Sequence, residues 1–351
     1  CQAVGFIKRN AQTNDATIDE AKFLQGVQSV GVNRQSTSRQ LDDFGRFQKK
    51  FYFEGKQEYS ITISRVIDKS VSPFYTTSSY ADNYLTNHIL SADNLGVQGE
   101  VDSDDKCLRN YDIVILYGPD TQTNIDGSSP KGVIMYRNCL MTNLSYDISV
   151  GGQITENITL TAKTAEYNDG TVDIDTDDIT FPESANILKP ADFDTINSVL
   201  PPDISSLFGV DAPALQSISI ELNIEYTKLD DVGRWTNSKN NNIWAFVNLP
   251  LSITTSFTGI SKNIYPTRSI PLNDTSYDDN NEIKIVLDGA IDATPNNYIW
   301  DLGKRNYVSD IGISGGDTSG GNVELTISYT NQYSDFVIAK DSTVHDVTTP
   351  T

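Results

Sequence analysis

One stretch of this chain is written twice. Residues 27–46 read VQSVGVNRQSTSRQLDDFGR and residues 215–234 read LQSISIELNIEYTKLDDVGR. The two align without a gap at an offset of 188, with 7 of 20 positions identical, including all of Leu-Asp-Asp-x-Gly-Arg. Apolar residues exchange for apolar ones at Val27/Leu215, Val30/Ile218, Val32/Ile220 and Phe44/Val232. Weaker matches follow in the same order: residues 60–63 with 252–255, 112–116 with 284–288, 137–138 with 305–306, and 158–161 with 323–326. A fixed internal offset is the mark of a repeated structural unit, so two units in tandem are expected.

The repeated blocks have the period of strands. Ile218, Ile220, Leu222 and Ile224 alternate with Ser219, Glu221, Asn223 and Glu225. Tyr59, Ile61 and Ile63 alternate with Ser60, Thr62 and Ser64, and Leu144, Tyr146, Ile148 and Val150 with Ser145, Asp147 and Ser149. Val323, Leu325, Ile327 and Tyr329 alternate with Glu324, Thr326 and Ser328. Period two with β-branched and aromatic residues predicts antiparallel strands with one face on a core and the other polar. Each unit holds about four good strands by this pattern. Helix signal is scarce: one short helix is expected over 79–90, and a second in the connector, capped by Asp192 and starting near Phe193.

The fold class is therefore mainly β, with two tandem antiparallel sandwich or barrel-like modules and about one short helix each. The expected division is an N-terminal arm at 1–22, a first module at 23–182, a linker at 183–213 holding Pro190, Pro201, Pro202 and Pro213, a second module at 214–340 and a C-terminal tail at 341–351. With 351 residues, each half is long enough to bury its own core. No run approaches the roughly 18 apolar residues needed to cross a bilayer as a helix, and residues 1–14 contain no apolar run of the kind an export signal has.

The formal net charge is −21. Residues 1–185 carry 16 basic and 26 acidic groups and residues 186–351 carry 10 and 21, so the excess is shared by the two halves. Holding nucleic acid requires phosphate neutralisation by Lys and Arg, and this balance opposes it. Three cysteines, Cys1, Cys107 and Cys139, form no disulfide framework and no CxxC pair.

Constellations for catalysis are missing from the pattern. The two histidines, His88 and His345, sit in no nucleophile motif, and no GxSxG elbow occurs. Asp173, Asp175, Asp177 and Asp178 resemble the start of a calcium loop. Its sixth position, however, is Asp178 where the loop needs Gly, and its twelfth is Ser184 where it needs Glu. The Gly-rich run at 314–321 lacks a GK[ST] ending and reads as a hairpin turn. No enzyme activity, cofactor or metal is expected.

The order of these strands resembles bacteriophage tail-tube proteins. The resemblance rests on VQSV with its long polar loop, then FEGKQEYSITISRVID, and on NCLMTNLSYDISVGGQITENITLT at 138–161. It covers most of 23–165, and 214–331 more loosely. It implies β modules of which six close into a ring whose inner wall is a continuous barrel. A doubled chain would then form a three-subunit pseudo-hexamer, and rings would stack into the conduit for genome ejection. Implied partners are further copies of the chain, other tail proteins (tape measure, hub, terminator or sheath) and genomic DNA passing without specific binding, with no membrane. The implied place is the virion tail, assembled in the host cytoplasm. Candidate lumen-facing acids are Glu221, Glu225, Asp147 and Glu324. The repeated loop residues Asp42, Asp43, Arg46, Asp230, Asp231 and Arg234 are candidates for contacts between subunits, with a simple internal ion-paired turn as the other reading. The loops at 33–58 and 235–248 would reach the next ring. Two alternatives stand beside the tube: a trimeric hub or tail-completion protein built from the same module, and a secreted β-sandwich adhesin binding glycans through aromatics such as Trp235 and Trp244.

Overall fold

The computed structural model describes residues 2–8, 22–24, 26–41, 51–67, 111–117, 132–162, 164–168, 187–194, 198–208, 214–228, 245–248, 252–260, 281–287, 298–304, 306–315, 323–331 and 337–340. Strands dominate them, as the alternation predicts. The first half supplies β1 (Gln2–Lys8), β2 (Lys22–Phe23), β3 (Val27–Leu41), β4 (Phe51–Val66), β5 (Tyr111–Tyr117), β6 (Gly132–Ser149), β7 (Thr155–Ala162) and β8 (Thr164–Asn168). The second supplies β9 (Leu215–Asn223), β10 (Tyr226–Lys228), β11 (Ala245–Val247), β12 (Ser252–Ile260), β13 (Lys284–Leu287), β14 (Tyr298–Asp301), β15 (Tyr307–Gly315), β16 (Val323–Asn331) and β17 (Val337–Lys340). Between the halves lie a 3-10 turn (Pro190–Asp192) and one helix, α1 (Pro202–Phe208).

The main layer is one antiparallel sheet running β3-β4-β7-β6-β9-β12-β16-β15. Its two four-strand sets share one order of connections. In each, the first and second strands adjoin, the fourth lies beside the second, and the third takes the far edge. Each set also carries a bulge at the same place. The third strand slips one residue against the fourth between Met141 and Asn143 in the first half and between Val308 and Asp310 in the second.

Walking across the ladders gives the register. Val30 faces Ile63, Ile63 faces Ile158, and Ile158 faces Leu144. From Ile218, the counterpart of Val30 in the written repeat, the same walk meets Phe257, Ile327 and Ile311. Ile63 therefore corresponds to Phe257, and the expected match of residues 60–63 with 252–255 is two residues out of step. The match of 158–161 with 323–326 is four out of step. The reason is physical: a Ser/Thr-Ile alternation looks the same after any even shift, and only cross-strand pairing chooses among shifts.

A second layer covers one face. In the first half it runs β8-β6-β5-β1-β2, with β6 bonded to β5 and β8 along its first part and to β7 and β9 along its second. In the second half it runs β17-β14-β13. There the path between the layers is split into β14 and β15 around Gly303, whose φ of +67° suits glycine. The kink is pinned by hydrogen bonds: Gly303 N–H donates to Asp301 Oδ1 at 2.9 Å, and Asn306 Nδ2 donates to the Gly303 carbonyl at 2.9 Å.

The alternating apolar residues meet between the layers in one core that spans both halves. Tyr59 of β4 meets Tyr136 edge-on at 5.6 Å, and Tyr146 of β6 meets Trp300 of the second half edge-on at 5.4 Å. Each fully buried side chain of this size contributes about 1.5–3 kcal/mol by its removal from water.

Four further expectations change. Residues 1–22 were expected to be a polar arm, yet Gln2–Lys8 is a strand on β5 with Ala3, Val4 and Phe6 buried. The linker is part of the core: Leu188, Ile204, Leu207 and Phe208 are fully buried, and a Cβ on Gly259 would meet the Phe208 ring at 2.9 Å. Its helix is Pro202–Phe208, starting on a proline that suits the first turn. Asp192 does not cap a helix from Phe193 but closes the 3-10 turn, accepting from the Lys189 N–H at 2.8 Å. Within the polar stretch 33–58, residues 33–41 and 51–58 are not loop but strand, β3 and β4 being paired as far as Leu41 with Phe51; residues 42–50 lie outside the described residues. The helix expected over 79–90 lies outside the described residues.

One buried ion pair distinguishes the halves. Arg65 of β4 and Glu156 of β7 are opposite one another, hydrogen-bonded and buried. The corresponding positions in the second half are Gly259 and Leu325, which also face each other. Removing one partner of a buried pair costs about 3–5 kcal/mol, whereas replacing both is often neutral. Glu156→Leu alone is expected to lower the urea midpoint strongly, and Arg65→Leu with Glu156→Leu to recover most of the loss. Equal midpoints for the single and double variants would contradict this.

Candidate functional site

The candidate site is the face of the main sheet that no other described strand or helix covers, together with the seam and edges that frame it. Core-facing residues alternate with outward ones along every strand, and the outward ones are small and polar. They are Ser60, Thr62 and Ser64 on β4; Thr155, Asn157, Thr159 and Thr161 on β7; and Asn143, Ser145, Asp147 and Ser149 on β6. The second half adds Ser217, Ser219, Glu221 and Asn223 on β9, Thr254, Ser256 and Thr258 on β12, and Thr326, Ser328 and Thr330 on β16. Neighbouring hydroxyls bond across strands, Ser256 with Ser328 at 2.8 Å and Thr258 with Thr326 at 2.9 Å.

Among the described side chains on this face, the charged groups are Glu58, Asp147, Glu221, Asp310 and Glu324, with no Lys or Arg. Three of the four expected lumen acids, Asp147, Glu221 and Glu324, stand on it. Glu225 falls two residues beyond the end of β9, exposed, with its backbone carbonyl accepting from Asn248 N–H at 2.8 Å beside the separate β10–β11 pair. Sequence reasoning missed Glu58 and Asp310. Asp310 follows the bulge, which flips the parity that simple alternation assigns.

The seam between halves is β6 against β9. Leu144 faces Leu222, Tyr146 faces Ile220 and Ile148 faces Ile218 on the core side. On the polar side, Asn143 Nδ2 donates to Glu221 Oε1 at 2.9 Å and to Asn223 Oδ1 at 2.8 Å. Pairing continues past the strand, with Ile224 N–H donating to the Thr142 carbonyl at 2.9 Å. Tyr226 Oη then donates to the Met141 carbonyl at 2.7 Å, and burial pushes this phenol upward, so it remains a donor. The row that leaves Val30 and reaches Leu144 arrives at Leu222, four residues past Ile218. The sheet therefore staggers by four residues from the start of one set of four strands to the start of the next.

Among the described residues, β3 pairs only with β4 and β15 only with β16, so the sheet has two different edges. Both expose core-side apolar residues, Val32 at 38% and Ile313 at 52%. The exposure of these edges has no signal in local sequence, since Val32 and Ile220 look alike as letters, yet Ile220 is 1% exposed.

The loop candidates Asp42, Asp43, Arg46, Asp230, Asp231 and Arg234 lie outside the described residues, as do Trp235, Trp244, both histidines and the Asp173–Asp178 run. Among the described residues, no cluster of three or more His, Cys, Asp or Glu has metal-binding geometry, and no helix is long and apolar enough to cross a membrane.

No family model matches this chain, and no curated protein matches it. Among solved structures, it is similar to a chain of the anti-feeding prophage baseplate, determined by cryo-electron microscopy with 6-fold symmetry applied. The identity is 12% and the TM-score 0.29, covering 48% of this chain and 91% of that one.

Seam and surface should respond differently to truncation. Ile220→Ala opens a cavity at the seam and is expected to cost about 2–5 kcal/mol. Ser219→Ala, the neighbouring outward residue, should stay within about 0.5 kcal/mol. Chemical denaturation of the two variants checks this, and comparable losses would place the seam's stability elsewhere.

Proposed function

We propose that this protein is a structural component of a phage-type tail, in which the two halves are copies of one module and three chains close into a ring. Stacked rings then form a tube through which the genome passes, and no catalysis is involved. The observation that carries the reading is the head-to-tail joining of two identically connected four-strand sets in one sheet. Such an arrangement leaves unlike edges, and unlike edges make heterologous contacts that close into rings when the rotation allows.

The stagger supports closure. One residue of offset per strand is the ratio found in eight-stranded barrels of shear eight, whose strands tilt by about 36°. That tilt lies in the range at which sheets close on themselves. Three chains would set about 24 strands around one bore, beyond the roughly 16–18 strands that already leave an aqueous channel. The covered face must then point outward, since it carries the second layer and α1, and the hydroxyl face must line the bore.

The lining suits a conduit. Duplex DNA is held mainly by cations that displace its counterions. A wall of hydroxyls and scattered carboxylates offers no such contact, so a polyanion is repelled weakly and not held. The resemblance to tail-tube proteins points the same way.

Negative-stain microscopy of the purified chain is the direct test, with hollow rings or tubes expected. Discrete trimers that never lengthen would favour the hub or completion role, and a lone monomer without a pore would overturn the reading. Within assembled particles, Asp147→Lys with Glu221→Lys should slow genome release, and the delay should shrink as salt rises. Unchanged release at low salt would remove these residues from the bore.

A further inference from the structure

Resting on the ring reading, we propose the specific contact by which one copy of this chain recognises the next: β15 of one copy pairs antiparallel with β3 of its neighbour, in the register that β6 already makes with β9. Val32 then lies directly opposite Ile313 of the adjoining chain.

The register follows from the internal seam. Leu144 and Ile311 occupy the same place in their sets, as the matching walks from Val30 and Ile218 establish. The matching bulges keep later positions in step, so Tyr146 corresponds to Ile313 and Ile148 to Gly315. On the other side of the seam, Ile218, Ile220 and Leu222 correspond to Val30, Val32 and Arg34 through the written repeat. Transferring Leu144–Leu222, Tyr146–Ile220 and Ile148–Ile218 gives Ile311 opposite Arg34, Ile313 opposite Val32 and Gly315 opposite Val30. On the polar side, Asp310 falls opposite Gln35 and Ser314 opposite Gly31.

Exposure agrees with this transfer. Among the described residues, Val32 and Ile313 are the two large apolar side chains left exposed on the core side of the two edges, and they are the pair that the register brings together. In the seam the equivalent pair, Tyr146 and Ile220, is 1% exposed on each side. Edge strands with such residues are templates for pairing with another chain. Gly315 stands where the seam has Ile148, and Arg34 where it has Leu222, so the contact between copies is less apolar than the seam. It is built to form after each chain has folded.

The test uses edge charges in the full chain. Val32→Lys spoils β3 and leaves β15 intact; Ile313→Lys does the reverse. Each variant alone is expected to lose assembly and sediment as a monomer with unchanged far-UV circular dichroism. Mixed in equal amounts, they should form a two-chain complex and nothing larger, since only one sound β15 and one sound β3 can meet. A mixture that remains monomeric, or a single variant that still forms rings, overturns the contact.

A second measurement reads the register. Val32→Cys with Ile313→Cys should give oxidised species ending at a covalently closed trimer, over a baseline set by the parent chain's own thiols. If wild-type rings form but Arg34→Cys with Ile313→Cys cross-links in preference, the register is wrong while the ring reading survives. If the wild-type chain never associates, the contact and the ring reading fall together.

Discussion

The seam between β6 and β9 decides what this molecule is. Without it the two halves would be separate sandwiches, each with two free edges. With Leu144, Tyr146 and Ile148 set against Leu222, Ile220 and Ile218, the polypeptide becomes one eight-strand wall with a shared core. The Tyr146–Trp300 contact ties the second half's second layer to a first-half strand, so the seam is held by side-chain packing as well as along its backbone. The connector serves the same end, since Leu188, Ile204, Leu207 and Phe208 are buried in that core.

From this constraint follow the two other properties that matter. A sheet made of two sets joined head to tail must present a first-set edge at one end and a last-set edge at the other. Among the described residues the sheet is covered on one side only, which leaves its polar side as the outer surface. On that side hydroxyls, carboxamides and carboxylates satisfy one another across strands, as at Ser256–Ser328 and Asn143–Glu221.

Much of the fold was legible in the letters. The alternation at 218–224, 59–64, 144–150 and 323–329 marked strands that exist, and the repeat at 27–46 and 215–234 marked the first strand of each set. Register was not legible, because Ser/Thr-Ile alternation is degenerate under even shifts, and the matches of 60–63 and 158–161 were misplaced for that reason. Length of pairing was also hidden. Residues 33–41 and 51–58 of the polar run are paired strands, since backbone pairing does not require apolar side chains. The terminal strand Gln2–Lys8 and the buried connector were read as arm and linker because their partners are far away in sequence, at Tyr111–Tyr117 and in the second-half core.

The sequence by itself determined the class of structure, the presence of one stretch written twice and the acidity of both halves, because period, repetition and charge are local or summed quantities. Only the tertiary structure decided that the halves join edge to edge, which acids share a face, and that Val32 and Ile313 stand exposed while Ile220 and Tyr146 do not. Those facts depend on hydrogen-bond pairing between segments far apart in the chain. Two residues with the same neighbours in sequence can differ completely in what lies across the ladder.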